Sequence, residues 1–242
     1  AARARQWRMQ LLLALQQLEH FDEADIRLLE WLGETPDDIS HVALVANELS
    51  ARGRYDDAVE WIRSAMAVAS SDATVGFLEM LSRVQFQAGD HDGAIESKKE
   101  MVRQRPDVGF EPEVAQVLIQ AGRYDEAADF LNRLIDQEQS EFKKAALLRL
   151  LSWGFQRQGR LVLAEQRLRD ARELAPDDVG INNDLGYTLA DAGQDLDEAE
   201  AMLRFAVGEN VRDAVLGGPS LRLRIWTVWA GCTTRRGISR RR

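Results

Sequence analysis

Apolar residues recur at three- and four-residue spacing along most of the chain, which is the pattern of helices that bury one face. Single glycines interrupt this pattern at regular intervals. The pattern predicts helices of about three to four turns arranged in antiparallel pairs, and no strand pattern competes with it. The predicted pairs span residues 6–33, 37–69, 72–105, 111–138, 141–175 and 177–208.

One alanine marks the same position in each predicted pair. The two clearest copies are Gly-Arg-Tyr-Asp-Asp-Ala ending at Ala58 and Gly-Arg-Tyr-Asp-Glu-Ala ending at Ala127. The successive spacings are 34, 36, 33, 37 and 35 residues. A period in this range is the signature of stacked helical repeats. The marked alanines are Ala24, Ala58, Ala94, Ala127, Ala164 and Ala199.

Other positions keep a fixed relation to that alanine. A glycine that can adopt positive φ ends the first helix (A) of a pair, and an acidic pair such as Asp56-Asp57 is predicted to cap the second helix (B) and to favour its dipole. Twelve residues before the alanine, a small residue lets the two helices approach closely. These residues are Ala46, Ser82, Ala115 and Ser152, and Gly186 corresponds to them once the extra residue in its turn is allowed for. Seven residues after it, a packed stripe is predicted at Trp31, Ala65, Met101, Leu134, Ala171 and Ala206.

This set of landmarks resembles the tetratricopeptide repeat (TPR) family, whose pattern is W-x2-L-G-x2-Y, then A-x3-F, then P. The sixth repeat matches with Leu185-Gly186, and its Asn182 to Tyr187 run is similar to repeats of large bacterial TPR proteins. Three repeats end with a proline, at Pro36, Pro106 and Pro176. Lys98 departs from the pattern because it stands where an apolar residue is expected. The resemblance implies an all-α, right-handed α-solenoid of about six antiparallel helix pairs, over residues 6–208.

Composition and charge narrow the function further. The formal charge is −9, but residues 214–242 contain seven arginines and no acid, which leaves 24 basic and 40 acidic residues, or −16, in the rest. Such an acidic body repels phosphate backbones, so we expect no nucleic-acid binding except through the basic tail. No segment is apolar over the length needed to span a bilayer. The single cysteine excludes an internal disulfide and fixes no compartment, so the localisation stays open.

No motif points to catalysis, to a cofactor or to a metal. The acidic pairs recur at one structural place, so they are interpreted as helix starts rather than as catalytic dyads. His20 and His91 fall in A-to-B turns and His41 falls early in a helix. Lys98-Lys99, between Glu96 and Glu100, is interpreted as a solvated helix face. Trp31 and Trp61 are predicted to belong to the core. The chain is therefore predicted not to be an enzyme.

In the family that these repeats resemble, the A helices line a concave groove that binds a protein or peptide. Helical spacing then predicts a groove rich in amide, arginine and aromatic side chains, which suit an extended peptide. Trp153 and Tyr187 could equally fill gaps between repeats. The candidate groove residues are Asn47, Ala51, Glu79, Arg83, Phe86, Gln87, Gln116, Gln120, Arg149, Trp153, Gln156, Arg157, Asn183, Tyr187 and Asp191.

Besides an enzyme, the third hypothesis, which the absence of motifs disfavours, two functional hypotheses remain at this point. The first is a protein-binding or peptide-binding scaffold, of unspecified oligomeric state, that uses this groove. The second is an architectural repeat segment of a larger multidomain protein whose other part is catalytic or envelope-attached. The start at Ala1 rather than Met leads us to expect a fragment of a longer chain.

The C-terminal region, residues 209–242, differs in composition from the repeats and is predicted to be an irregular basic tail. A shift of the reading frame would explain the change. From Arg224, moving translation to the third base of each codon permits a string containing Leu-Gly-x-x-Tyr, the A-helix pattern of the same family. We therefore expect the tail, from about Val211, to be a frameshifted seventh repeat that leaves the last B helix poorly covered. Sequencing the gene tests this.

Overall fold

The computed structural model describes residues 38–215, together with Arg27 and Glu30, and gives side chains for all of these except His41 and 209–215. Over 38–215 the chain folds into ten α-helices, and no strand occurs among the described residues. Numbered in chain order, the helices are α1 (Ile39–Ala51), α2 (Tyr55–Val68), α3 (Ser71–Ala88), α4 (His91–Gln104), α5 (Glu111–Gln120), α6 (Tyr124–Gln137), α7 (Glu141–Arg157), α8 (Leu161–Leu174), α9 (Val179–Ala192) and α10 (Leu196–Val215).

The helices form five consecutive A-B pairs, joined within each pair by turns of two or three residues. These five pairs confirm the predicted pairs from residue 37 onward. The predicted pair at 6–33 lies outside the described residues, apart from Arg27 and Glu30. α10 runs to Val215 and so passes the predicted end of the last pair at residue 208. Its last residues belong to the region that was predicted to be an irregular tail. The rest of the tail, with its predicted frameshift, also lies outside the described residues.

The chain divides into two compact units, Ala1–Val117 and Leu118–Arg242. α5 begins in the first unit and ends in the second. In the first unit the core joins α1, α2 and α3, and its largest fully buried side chains include Phe77 and Ile62. In the second unit a cluster around Leu168, Leu185 and Leu189 joins α8, α9 and α10. Each unit is thus all-α, with a core shared by consecutive helices.

The marked alanines lie where each B helix meets its A helix. All five in the described residues are at most 1% exposed: Ala58, Ala94, Ala127, Ala164 and Ala199. The small residues opposite them are buried as predicted. In the second pair Ser82 Oγ donates a 2.8 Å hydrogen bond to the carbonyl oxygen of Ala94, so the alanine backbone itself is in contact with the A helix. Large side chains at these positions would force the helices apart.

The glycine after each A helix adopts the predicted left-handed conformation. Gly89 has φ = 84° and its N–H donates to the carbonyl oxygen of Phe86, which ends α3. Gly122 ends α5 with φ = 76°. A residue with a β-carbon is strained there, so the glycines fix where each A helix stops.

The prediction that the acidic pairs cap the B helices is wrong for α2 and α6. The N-cap residues are Arg54 and Arg123, and neither makes a capping bond through its side chain. Each arginine instead forms an ion pair with an acid three residues later, Arg54 with Asp57 and Arg123 with Glu126. The acids still lie in the first turn, where the helix dipole favours negative charge. Side-chain caps occur at other helices, from Asp90, Ser140 and Asp178.

Two sequence interpretations concern side chains of the first unit. Trp61 is 7% exposed in the core, as predicted, whereas Trp31 lies outside the described residues. The interpretation of Lys98 as part of a solvated face is wrong. Lys98 is only 7% exposed and pairs with Glu79 and Glu113 on neighbouring A helices, because its position in α4 faces inward. Glu96 and Glu100 pair with Arg103 instead.

Candidate partner-binding surface

In the first unit, most of the candidate groove residues lie on exposed parts of the A helices. Arg83 on α3 donates a 2.9 Å hydrogen bond to Asn47 Oδ1 on α1, which joins two candidates from successive A helices. Phe86 is half-buried, and its ring stacks on the ring of His91 with 4.7 Å between the centroids. His91 is the first residue of α4. The exposed candidates here are Asn47, Ala51, Glu79, Arg83, Gln87 and Gln116.

The second unit presents one continuous surface along α7. We call it the α7 face and define it by Phe142, Arg149, Trp153, Gln156 and Arg157, whose spacing of three, four or seven residues puts them on one side of a helix. Phe142, Arg149 and Arg157 are exposed, and Trp153 and Gln156 are half-buried. Buried residues such as Leu148 and Leu151 occupy the opposite side of the helix.

Phe142 was not among the candidates predicted from the sequence. In the structure this residue is 68% exposed. The signal was present, because Phe142 stands seven residues before Arg149 and so lies two turns away on the same face. The spacing from the small residue Ser152 did not reach this early part of the helix. An exposed aromatic side chain of this size extends the α7 face toward the start of α7.

α9 packs beside the α7 face and holds two of its side chains. Arg149 Nε donates a 2.7 Å hydrogen bond to Asp184 Oδ2, and Gln156 Nε2 donates a 3.1 Å hydrogen bond to Thr188 Oγ1. Asn183, a predicted candidate, donates from Nδ2 to Asp184 Oδ1 over 3.1 Å. α9 therefore fixes the orientation of the arginine and of the amide.

The remaining candidates of the second unit are more open to solvent. Tyr187 on α9 is 48% exposed, and Trp153 is half-buried, so neither ring is sealed in a core. Arg157 is exposed and forms no ion pair with any residue that the structure describes. Gln120 and Asp191 are exposed as well. The aromatic rings and Arg157 are thus accessible to a partner.

Other chemistry is sparse in the described part of the chain. No group of three or more His, Cys, Asp or Glu residues could hold a metal ion there. A depression between α8 and α9 contains Arg169 and Arg172, but both arginines are engaged by Glu198, and Arg169 also pairs with Glu165. Of the helices between residues 38 and 215, none has the length and apolar character needed to cross a bilayer.

Family models of the tetratricopeptide repeat match two overlapping stretches of the chain, residues 46–108 and 85–151. Both stretches contain the A-B pairs and buried alanines described above. Residues 46–151 therefore carry tetratricopeptide repeats. TPR units are in general non-catalytic scaffolds for protein interaction. A comparison with proteins of curated function gives no match.

Solved structures resemble the fold of this chain. PilF of Pseudomonas aeruginosa is 13% identical, with a TM-score of 0.51, 82% of this chain covered and 84% of the other. BtubC (BKLC) from P. vanneervenii is 16% identical, with a TM-score of 0.50 and coverages of 91% and 94%. A putative kinesin light chain from Podosopora anserina, with nearly identical TPR-like repeats, is 16% identical, with a TM-score of 0.50 and coverages of 74% and 97%. At these identities the likeness concerns the fold alone.

Proposed function

We propose that this TPR protein is a non-catalytic scaffold that binds an extended segment of a partner protein on the α7 face. The observation that carries the proposal is the composition of this face. It presents Phe142, Arg149, Trp153 and Arg157 together with no acidic side chain, in a chain whose formal charge is −9. Aromatic and arginine side chains dominate the energetics of protein interfaces, so their concentration here supports a binding role.

An extended segment suits the side chains present. Trp153 and Phe142 can cover apolar side chains of the partner, and their loss of conformational entropy on binding is small because each has two side-chain torsions. The Gln156 amide can pair with a peptide backbone, and Tyr187 on α9 adds a further exposed ring. A row of separated contacts along one helix fits a chain that lies along it.

A nucleic-acid partner is not supported by the charge distribution. The two arginines of the α7 face belong to a chain with a strong excess of acidic residues. A nucleic acid longer than this face would also meet the acidic surface around it, which repels phosphate groups. We therefore propose a protein or peptide partner and no nucleic acid.

The test uses random 12-residue peptides displayed on phage and selected on the wild-type protein. Trp153→Ala and Arg157→Ala should each lower the affinity of a selected peptide roughly 30-fold, as for a central interface residue. Arg133→Ala is the matched control, because Arg133 is an exposed arginine on the B helix α6, where it lies over its own neighbour Phe130. Circular dichroism should show the same helix content in all variants.

Selected peptides that bind the Trp153 and Arg157 variants as tightly as the wild type would show that the site is elsewhere. A loss of affinity in the Arg133 variant equal to that in the Arg157 variant would count against a localised surface. A library from which no peptide is enriched also speaks against the proposal.

A further inference from the structure

Two features of α9 orient Arg149. Its Nε donates to Asp184 Oδ2 at 2.7 Å, and the other oxygen of that carboxylate accepts from Asn183 Nδ2 at 3.1 Å. Both oxygens of Asp184 are therefore occupied. An arginine bound through Nε directs its Nη1 and Nη2 edge away from the bound carboxylate, because the guanidinium is planar and rigid.

Gly180 provides the second restraint. A β-carbon at this position would lie 2.4 Å from Arg149 Nη1 and 2.9 Å from Nη2, which is closer than any real contact. The guanidinium thus rests directly on the backbone of the first turn of α9. A β-carbon here would displace the flexible end of the Arg149 side chain.

The outer edge of Arg149 is available for a ligand. Nη1 and Nη2 make no hydrogen bond to any residue that the structure describes, and the side chain is 43% exposed. This edge presents two parallel N–H donors, one from each nitrogen, in the geometry that matches the two oxygens of a carboxylate. An arginine that is already oriented loses little further freedom on binding.

We propose that Arg149 is a specificity-determining residue that binds a carboxylate of the partner segment through its Nη1 and Nη2 edge, with Asp184 and Gly180 as positioning residues. This inference rests on the proposed function and names the chemistry that the α7 face selects. Charge complementarity supports it, because α7 places a second arginine, Arg157, on this face, and Arg157 forms no ion pair with any residue that the structure describes.

The positions along α7 set the expected spacing in the ligand. Arg149 and Arg157 are eight residues apart, or about 12 Å along the helix axis at 1.5 Å per residue. An extended peptide covers that length in about four residues. The partner segment therefore carries two acidic side chains about four residues apart, with an apolar side chain between them that contacts Trp153.

The experiment extends the phage selection with a double-mutant cycle. Peptides enriched on the wild type should contain this acid-apolar-acid spacing. Changing the first acid of a selected peptide from Glu to Gln should lower its affinity for the wild type about tenfold, and the same change should have little effect on Arg149→Gln, since the interacting group is already lost. Arg149→Lys should not restore the affinity, because an ammonium lacks the planar fork.

Gly180→Ala tests the positioning role without removing a charge. It should lower the affinity for the acidic peptide about tenfold and leave that for the Gln peptide nearly unchanged. Gly208→Ala is the matched control, because no atom lies within 4 Å of a β-carbon at that position. A merely structural Arg149–Asp184 pair would give equal losses for both peptides.

Two results overturn the inference while leaving the proposed function intact: enriched peptides that lack acids but still depend on Trp153, or a cycle in which the Glu→Gln change has the same effect on the wild type and on Arg149→Gln. Should Gly180→Ala unfold the protein, the peptide-side change against Arg149→Gln decides the matter alone. If Trp153→Ala and Arg157→Ala have no effect, the proposed function itself fails.

Discussion

Lys98 Nζ on α4 donates a 2.6 Å hydrogen bond to Glu113 Oε2 on α5, and it also pairs with Glu79 on α3. Lys98 stands four residues after Ala94, where the other described repeats have buried Ile62, Leu131, Leu168 and Leu203. Two carboxylates from the A helices reach the ammonium at this inward position. Those carboxylates remain partly exposed, with 54% of the Glu79 side chain and 37% of the Glu113 side chain accessible.

Replacing Lys98 by Met is expected to raise the free energy of unfolding by about 1 kcal/mol, because burial of an unbranched apolar side chain replaces a desolvated charge. The two glutamates lose their partner but can turn to water. The double variant Glu79→Gln/Glu113→Gln is expected to lose roughly 2 kcal/mol, since it leaves the ammonium buried without a counter-charge; the part-exposure of the pair keeps this below the full cost of breaking a buried pair. Chemical denaturation measures both.

Lys98→Ala is the control for packing, and it should be less stable than the Met variant by about 2 kcal/mol because it leaves a cavity. If the Met variant were several kcal/mol less stable than the wild type, the ion pairs rather than the packing would be what stabilises this position.

Gly186→Ala is expected to destabilise the protein by about 1–3 kcal/mol, the cost of overpacking a close contact. A β-carbon there would lie 2.9 Å from Leu203 Cγ and 3.1 Å from the carbonyl oxygen of Ala199, so α9 and α10 would have to separate. Thermal or chemical unfolding measures the effect.

Gly208→Ala provides the matched comparison, because Gly208 lies inside α10 with nothing near its missing β-carbon. It should gain about 0.5–1 kcal/mol from the higher helix propensity of alanine. Equal effects of the two substitutions would mean that helix propensity, and not the approach of α9 to α10, decides the outcome at Gly186.

Glu138 predicts a pH-dependent contribution to stability. Its carboxylate accepts hydrogen bonds from the backbone N–H groups of Ser140 and Gln139 at 2.8 and 2.9 Å, and these, the Ser140 bond first, hold the pKa of Glu138 below its ordinary value. A lowered pKa in the folded state means that the contribution is complete above about pH 4.3, the unfolded-state value, and is lost as the pH falls through the folded-state value.

Glu138→Gln should therefore be less stable than the wild type at pH 7, and the difference should shrink below about pH 4 as the wild-type carboxylate takes up a proton. Denaturation curves at several pH values measure it. A difference that stays constant from pH 7 to pH 3 would show that the hydrogen bonds do not depend on the charge. Asp136→Asn, at an exposed residue two positions earlier, serves as the control.

Much of the fold follows from the sequence because each repeat obeys local rules. The spacing of Ala58 and Ala127, the glycine after each A helix and the period of apolar residues predicted five helix pairs that the structure confirms. The exposed side of the A helices followed in the same way, since helical spacing alone separates Trp153 from buried Leu151.

Contacts between helices could not be derived in this way. Lys98 lies between Glu96 and Glu100 in the sequence, which is the pattern of a solvent-exposed helix face. Only the packing of α4 shows that Lys98 faces inward to Glu79 and Glu113. The acidic residues before Ala58 and Ala127 are of a type that often caps helices, yet the N-cap positions are occupied by Arg54 and Arg123. Each arginine forms an ion pair with one of these acids.

The sequence by itself determined the helical type and the bounds of the five helix pairs from residue 38 onward, apart from the end of α10, because backbone hydrogen bonds, glycine conformation and the burial of one face are properties of residues close together in the chain. Only the tertiary structure decided that Arg149 lies against Gly180 and binds Asp184. Asp184 is 35 residues away from Arg149 along the chain. Such a contact depends on how one helix pair packs on the next, and this is set by the fit of many side chains at once rather than by any local pattern.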